Sequence, residues 1–129
     1  MKSPKSFKPK RGTGNSFNAR KKRDILYDSV WNHYRIVFLK INPRCYACGA
    51  RATVVDHLVA HKGDKELFTK VDNHIPLCKH DHDTITAKFD RVEPPNYQGK
   101  LEYLAKRRVQ TSTTITVKVL PHYGSRPKI

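Results

Sequence analysis

The stretch that decides the reading of this chain runs from Cys45 to Thr86: CYACGARATVVDHLVAHKGDKELFTKVDNHIPLCKHDHDTIT. Two thiols, Cys45 and Cys48, open it, and a third, Cys78, stands near its end. Between them lie the pair Asp56-His57 and then Asn73, while His82 follows Cys78 at the expected start of a helix. Metal-ligand residue types therefore form two interleaved sets, one rich in sulfur and one rich in carboxylate and imidazole. Thiolates select Zn²⁺, whereas carboxylate with imidazole and open positions suits Mg²⁺, Mn²⁺ or Ni²⁺. A redox role for C-x-x-C needs a β–α–β setting, and the pattern around Cys45 and Cys48 is a tight turn instead.

Outward from this stretch, charge sets the next bound. The chain has 129 residues, room for one domain with a modest core, and a net charge of +15. Such an excess of cations points to a polyanion partner. Residues 1–23 hold nine Lys or Arg and no acid, and residues 100–129 hold seven against Glu102 alone. Residues 24–99 carry ten charges of each sign, so a neutral centre lies between two basic flanks. Flanks that grip phosphates around a core that does chemistry would look like this. Three cysteines do not make a disulfide framework, and metal in a reducing, cytoplasmic compartment is the expectation. No apolar run approaches a membrane span, so no membrane partner is expected.

The periodicities divide the chain into a basic arm over 1–23, expected to be disordered, a single domain over 24–120 and a tail over 121–129. Leu26, Tyr27, Val30, Trp31, Tyr34, Val37 and Phe38 recur at helical spacing, with Asp24 as a cap and Asn42-Pro43 as a stop. Gly49 is available for a left-handed position in the cysteine turn. Strands are expected over Thr53–Leu58 and Ile75–Leu77, joined by a loop able to approach DNA. Helices are expected over His82–Arg91 and Gly99–Val109. Over Thr111–Leu120, Ile115, Val117 and Val119 alternate with polar residues, which predicts a half-buried strand. The fold class is α+β.

The ordered set Cys45, Cys48, Asp56, His57, Gly63, Asp64, Leu67, Phe68, Asn73, Leu77, Cys78 and His82 resembles the core of the HNH endonucleases, the ββα-metal nucleases. The likeness is greatest to the small free-standing members found in bacteriophages, and it covers about half the chain, residues 45–91 forming the core. Trp31, Phe38, Leu39, Asn42 and Pro43 fit the lead-in helix of the phage members. The sequence departs from the pattern at Asp81, which stands where a fourth cysteine is expected. The resemblance implies a metal-dependent DNA endonuclease that leaves 5′-phosphate and 3′-hydroxyl ends, with a homing or packaging-associated role. It also implies that Asn73 braces the loop between the strands and helps orient His57.

Hydrolysing a phosphodiester needs a water, a base for its proton and a cation for the phosphate charge. His57 is the candidate base, since imidazole titrates near cellular pH. Asp56 and His82 are the candidate ligands of one Mg²⁺-class ion. A regular strand sends Asp56 and His57 to opposite faces, so a distortion at the strand end is expected if both serve one site. His61 and His74 are read as ordinary polar residues. Cys45, Cys48 and Cys78 form the candidate structural Zn²⁺ site. Its fourth ligand is left open between Asp81, favoured by position, and His80, the better partner for sulfur. A further alternative is that the cysteines are merely buried. DNA is the expected partner, gripped through phosphates by the basic arm and the C-terminal helix of a monomer or weak dimer. The competing class is a non-catalytic, zinc-stapled nucleic-acid-binding protein, which has no need of Asp56, His57, Asn73 and His82 together.

Overall fold

The structure, a computed structural model, describes residues 26–124. The basic arm over 1–23, the Asp24 cap and residues 125–129 of the tail lie outside the described residues. Helix α1 spans Ser29–Ile41, with Asp28 as its cap: one carboxylate oxygen accepts the Trp31 N–H at 3.0 Å. Trp31, Tyr34 and Phe38, three and four residues apart, are its buried face. The helix stops at Asn42, whose backbone N–H donates to Phe38 while Pro43 bars another helical residue.

Strands β1 (Val54–His57) and β2 (His74–Leu77) form an antiparallel pair, Val54 opposite Leu77 and His57 opposite His74. Alternation gives this small sheet two buried faces. Ile75 and Leu77 join Cys45, Ala47, Ile85 and Leu104 on one face. Val55 joins Trp31, Tyr34, Phe38 and Phe68 on the other. His57 lies on the Trp31 side, its ring stacked on Trp31 with centroids 5.5 Å apart.

The link between the strands, expected as loop, contains helix α2 (Lys65–Thr69) and a 3₁₀ turn over Val71–Asn73. The GDKELF stretch explains α2. Gly63 takes φ +85°, Asp64 accepts the N–H groups of Glu66 and Leu67, and Phe68 is fully buried. Helix α3 (Lys79–Ile85) follows β2, with the Cys78 sulfur as its N-terminal acceptor. It begins earlier than His82 and gives way to a π-helical turn over Thr86–Asp90. Ala87, in that wider turn, is exposed. Helix α4 spans Tyr97–Gln110, capped by Asn96, and buries Lys100 and Leu104.

The strand expected over Thr111–Leu120 does not form. Ile115 and Val117 are half-buried, but among the described residues no neighbouring strand offers a ladder. Side chains take the ladder's place. Asn42 accepts the Lys118 N–H at 2.8 Å and donates to its carbonyl at 3.0 Å, and Arg108 donates to the Ile115 carbonyl at 2.9 Å. Within the stretch read as tail, the Tyr123 ring packs against Tyr34 at 5.0 Å. Among the described residues the fold is thus mixed α and β, built on one two-stranded sheet. Among the described residues no helix is long and apolar enough to cross a membrane.

Candidate metal centre and catalytic cleft

The turn after α1 and the start of α3 bring Cys45, Cys48, Cys78 and Asp81 together, with one ligand atom of each within 4.8 Å of all the others. Gly49 at φ +77° closes the turn that carries the first two thiols. The Cys48 and Cys78 sulfurs are 3.8 Å apart, and Asp81 Oδ2 lies 3.4 Å from Cys45 and 3.3 Å from Cys78. A tetrahedral zinc with bonds of about 2.3 Å to sulfur and 2.0 Å to oxygen requires edges of roughly 3.8 and 3.5 Å. The four residues therefore fit zinc. His80 is exposed and outside the cluster, because it leaves α3 on the solvent side. The open fourth position goes to Asp81.

Asp81 is fully buried and held from behind by α4: its Oδ1 accepts from Tyr103 at 2.9 Å and from Arg107 at 2.8 Å. Burial opposes its ionisation, but hydrogen bonds from the Cys48 thiol, Arg107 and Tyr103 outweigh this and hold its pKa at about 2. Burial pushes the Cys78 thiol up to about 12, and Cys48 up as well. Without metal the Asp81 carboxylate sits beside protonated Cys48 and Cys78 thiols. Zinc would exchange those protons for thiolate bonds.

The second set lines a separate cleft of about 600 Å³ whose walls include Asp56, His57, His61, His82, Asp90 and Arg91. Asp56 comes from the Ile75 face of the sheet and His57 from the Trp31 face, and both reach the cleft because it opens at the strand's end. The pairing runs in register to His57, so the distortion expected there is not needed. Asp56 Oδ1 lies 3.6 Å from His82 Nε2. Two such atoms can share one ion, since bonds of about 2.0–2.1 Å to Mg²⁺ span about 4 Å end to end. His82 Nδ1 lies 3.4 Å from Asp83 Oδ1, which favours the tautomer with its lone pair on Nε2.

His57 Nε2 is 3.1 Å from the Phe68 carbonyl, and His74 Nε2 is 2.8 Å from the same oxygen. A carbonyl only accepts, so both Nε2 atoms carry the proton and both Nδ1 atoms carry the lone pair. In His74 that lone pair accepts from the Tyr34 hydroxyl at 2.6 Å. In His57 it is the basic atom. Burial first, then His74 and His61, holds the His57 pKa down at about 3, so the ring is neutral but does not titrate near cellular pH as expected from imidazole alone. Asn73 accepts the Val59 N–H at 2.8 Å and donates to the Val59 and Leu67 carbonyls, fixing the segment that presents Phe68.

Sequence reasoning missed Lys100, Asp90 and His74. His74, expected from the sequence to be an ordinary polar residue, is buried beside His57 and shares its acceptor. Lys100 lies under the cleft, 3.2 Å from Asp56 Oδ2 and 3.1 Å from Asp90. Its signal was its place four residues before Leu104, on the apolar stripe of α4. Burial pushes the Asp56 carboxyl up, against the pull of Lys100 and then of His82. Compared with family models, curated proteins and solved structures, the chain finds no match.

Proposed function

We propose that the chain is a metal-dependent DNA endonuclease of the HNH type, with zinc bound by Cys45, Cys48, Cys78 and Asp81 as a structural staple. The observation that carries this reading is the convergence of Asp56, His57 and His82 on one cleft, with Asp56 Oδ1 3.6 Å from His82 Nε2. A zinc-stapled binding module has no use for a neutral, buried imidazole beside a carboxylate–imidazole pair. The net charge of +15 supports a nucleic-acid substrate.

In this reading His57 Nδ1 takes the proton from the attacking water, while the Phe68 carbonyl holds Nε2–H and fixes the ring. Asp56 and His82 would hold a Mg²⁺-class ion, and such an ion would supply positive charge against the phosphate and the leaving oxygen. His61 and Arg91, on the walls, face the bound phosphodiester. Trp31 and Phe68 pack on His57 and keep bulk water off its buried edge.

Plasmid incubated with the purified protein should be cut in Mg²⁺ or Mn²⁺ and left intact in EDTA. His57→Ala should abolish cutting at unchanged DNA affinity, and His82→Ala should inactivate by weakening ion binding. Cutting by the His57 variant at the wild-type rate would refute the assignment. Binding without cutting by the wild-type chain would leave the zinc-stapled binding protein.

A further inference from the structure

Lys100 is 1% exposed, a position lysine holds only when its charge is met. Its ammonium donates to the His57 carbonyl at 2.7 Å and to both oxygens of Asp90 at 3.1 Å, and lies 3.2 Å from Asp56 Oδ2. Three of the residues around the cleft thus meet at one nitrogen. Two of them are adjacent in β1 and leave the sheet on opposite faces, so β1 itself does not couple their side chains. Lys100 supplies that coupling from α4, far away in sequence.

The contact with Asp56 also divides the carboxylate. Oδ2 is buried, and Lys100, 3.2 Å away, is the cation beside it. Oδ1 is the oxygen nearest His82. An ammonium on one side of the carboxylate fixes which oxygen faces the cleft. Because Lys100 is enclosed, it cannot reach a phosphate or hand a proton to substrate.

We propose that Lys100 is a positioning residue of the cleft, which holds Asp56 with Oδ1 toward His82 and anchors the backbone of His57, an inference that rests on the endonuclease reading. The ion pair with Asp90 keeps the ammonium in place: the π-helical turn at Thr86–Asp90 delivers that carboxylate, and the Lys62 ammonium donates to the Asp90 carbonyl at 2.7 Å.

The test is Mn²⁺ binding to zinc-loaded protein, read from the free-ion paramagnetic resonance signal, with single-turnover cleavage alongside. His82→Ala defines the cleft site by the binding it removes. The informative variant is Lys100→Met with Asp90→Asn. It leaves one net negative charge among the three residues, as in the wild type, so a change reports geometry. Its Mn²⁺ affinity should fall by about 10–100-fold, the range for residues that orient metal ligands, with a matching fall in rate and unchanged DNA affinity in EDTA. Asp90→Asn alone, which keeps Lys100 on Asp56, should lose less. If the double variant does not fold, Lys100→Gln is measured by the same criterion. A folded variant that binds Mn²⁺ as the wild type does, while His82→Ala does not, overturns the role of Lys100 alone. Wild-type protein whose Mn²⁺ binding is unaffected by His82→Ala overturns both this role and the metal-dependent reading.

Discussion

Arg107 Nε lies 2.8 Å from Oδ1 of Asp81, the oxygen opposite the one that faces the Cys45 and Cys78 sulfurs. The guanidinium fixes the carboxylate plane and leaves a single oxygen for metal. Protein purified without added metal should carry about one Zn²⁺ per chain. Arg107→Ala should lower zinc affinity by about 10–100-fold in competition with a chromogenic chelator. Asp81→Ala should lower it too, and His80→Ala should leave it unchanged. Equal affinity in the Arg107 and wild-type proteins would mean the three thiolates set binding alone.

The Tyr34 hydroxyl donates to buried His74 Nδ1, so Tyr34→Phe leaves that nitrogen unpaired at a cost of about 1–3 kcal/mol. Urea denaturation at neutral pH measures it. Burial raises the Tyr34 pKa, and burial with Asp28 raises that of Tyr123 to about 12. Both hydroxyls lose protons more readily in the unfolded chain. Their contribution is therefore complete below the ordinary tyrosine value of about 10 and is lost as pH climbs through the folded values. Stability should fall above about pH 10, and Tyr34→Phe should flatten that fall. Identical alkaline slopes would show that Tyr34 ionises alike in both states.

Residues 1–23 carry nine cations and no acid. Each phosphate they neutralise should add about 0.9 to the slope of log affinity against log salt. A chain starting at Asp24 should therefore bind duplex DNA more weakly with a flatter salt dependence. Its single-turnover rate at saturating enzyme and low salt should match the full chain. An unchanged slope would remove the arm from the interface, and a collapsed rate would give it a part in the cleft.

The thiol–carboxylate cluster was legible because thiols are scarce: three cysteines, with a carboxylate three residues after the last, leave few ways to build a tetrahedron. The Asp56-His57 pair and His82 were legible as residue types, and the cleft brings them together. Lys100, Arg107 and Arg108 were not. In sequence they read as cations of a basic helix, and a phosphate-binding lysine looks the same as one that meets a buried carboxylate. Lys100 faces Asp56, Arg107 faces Asp81, and Arg108 donates to the Tyr46 and Ile115 carbonyls. The expected C-terminal strand failed for a related reason. Alternation promises a face to bury but cannot promise a partner strand, and Asn42 and Arg108 take up the backbone groups instead.

Helix α4 touches both sites, through Lys100 under the cleft and Arg107 behind Asp81. Seven residues apart, these side chains stand about 10 Å from each other along the axis and share one stripe of the helix. The helix therefore works as a ruler between two carboxylates whose places are set by other elements. One residue inserted between Lys100 and Arg107 would turn one of them about 100° away from its carboxylate. The outer face of α4 is free to vary in composition, whereas the count of residues between those two cations is fixed.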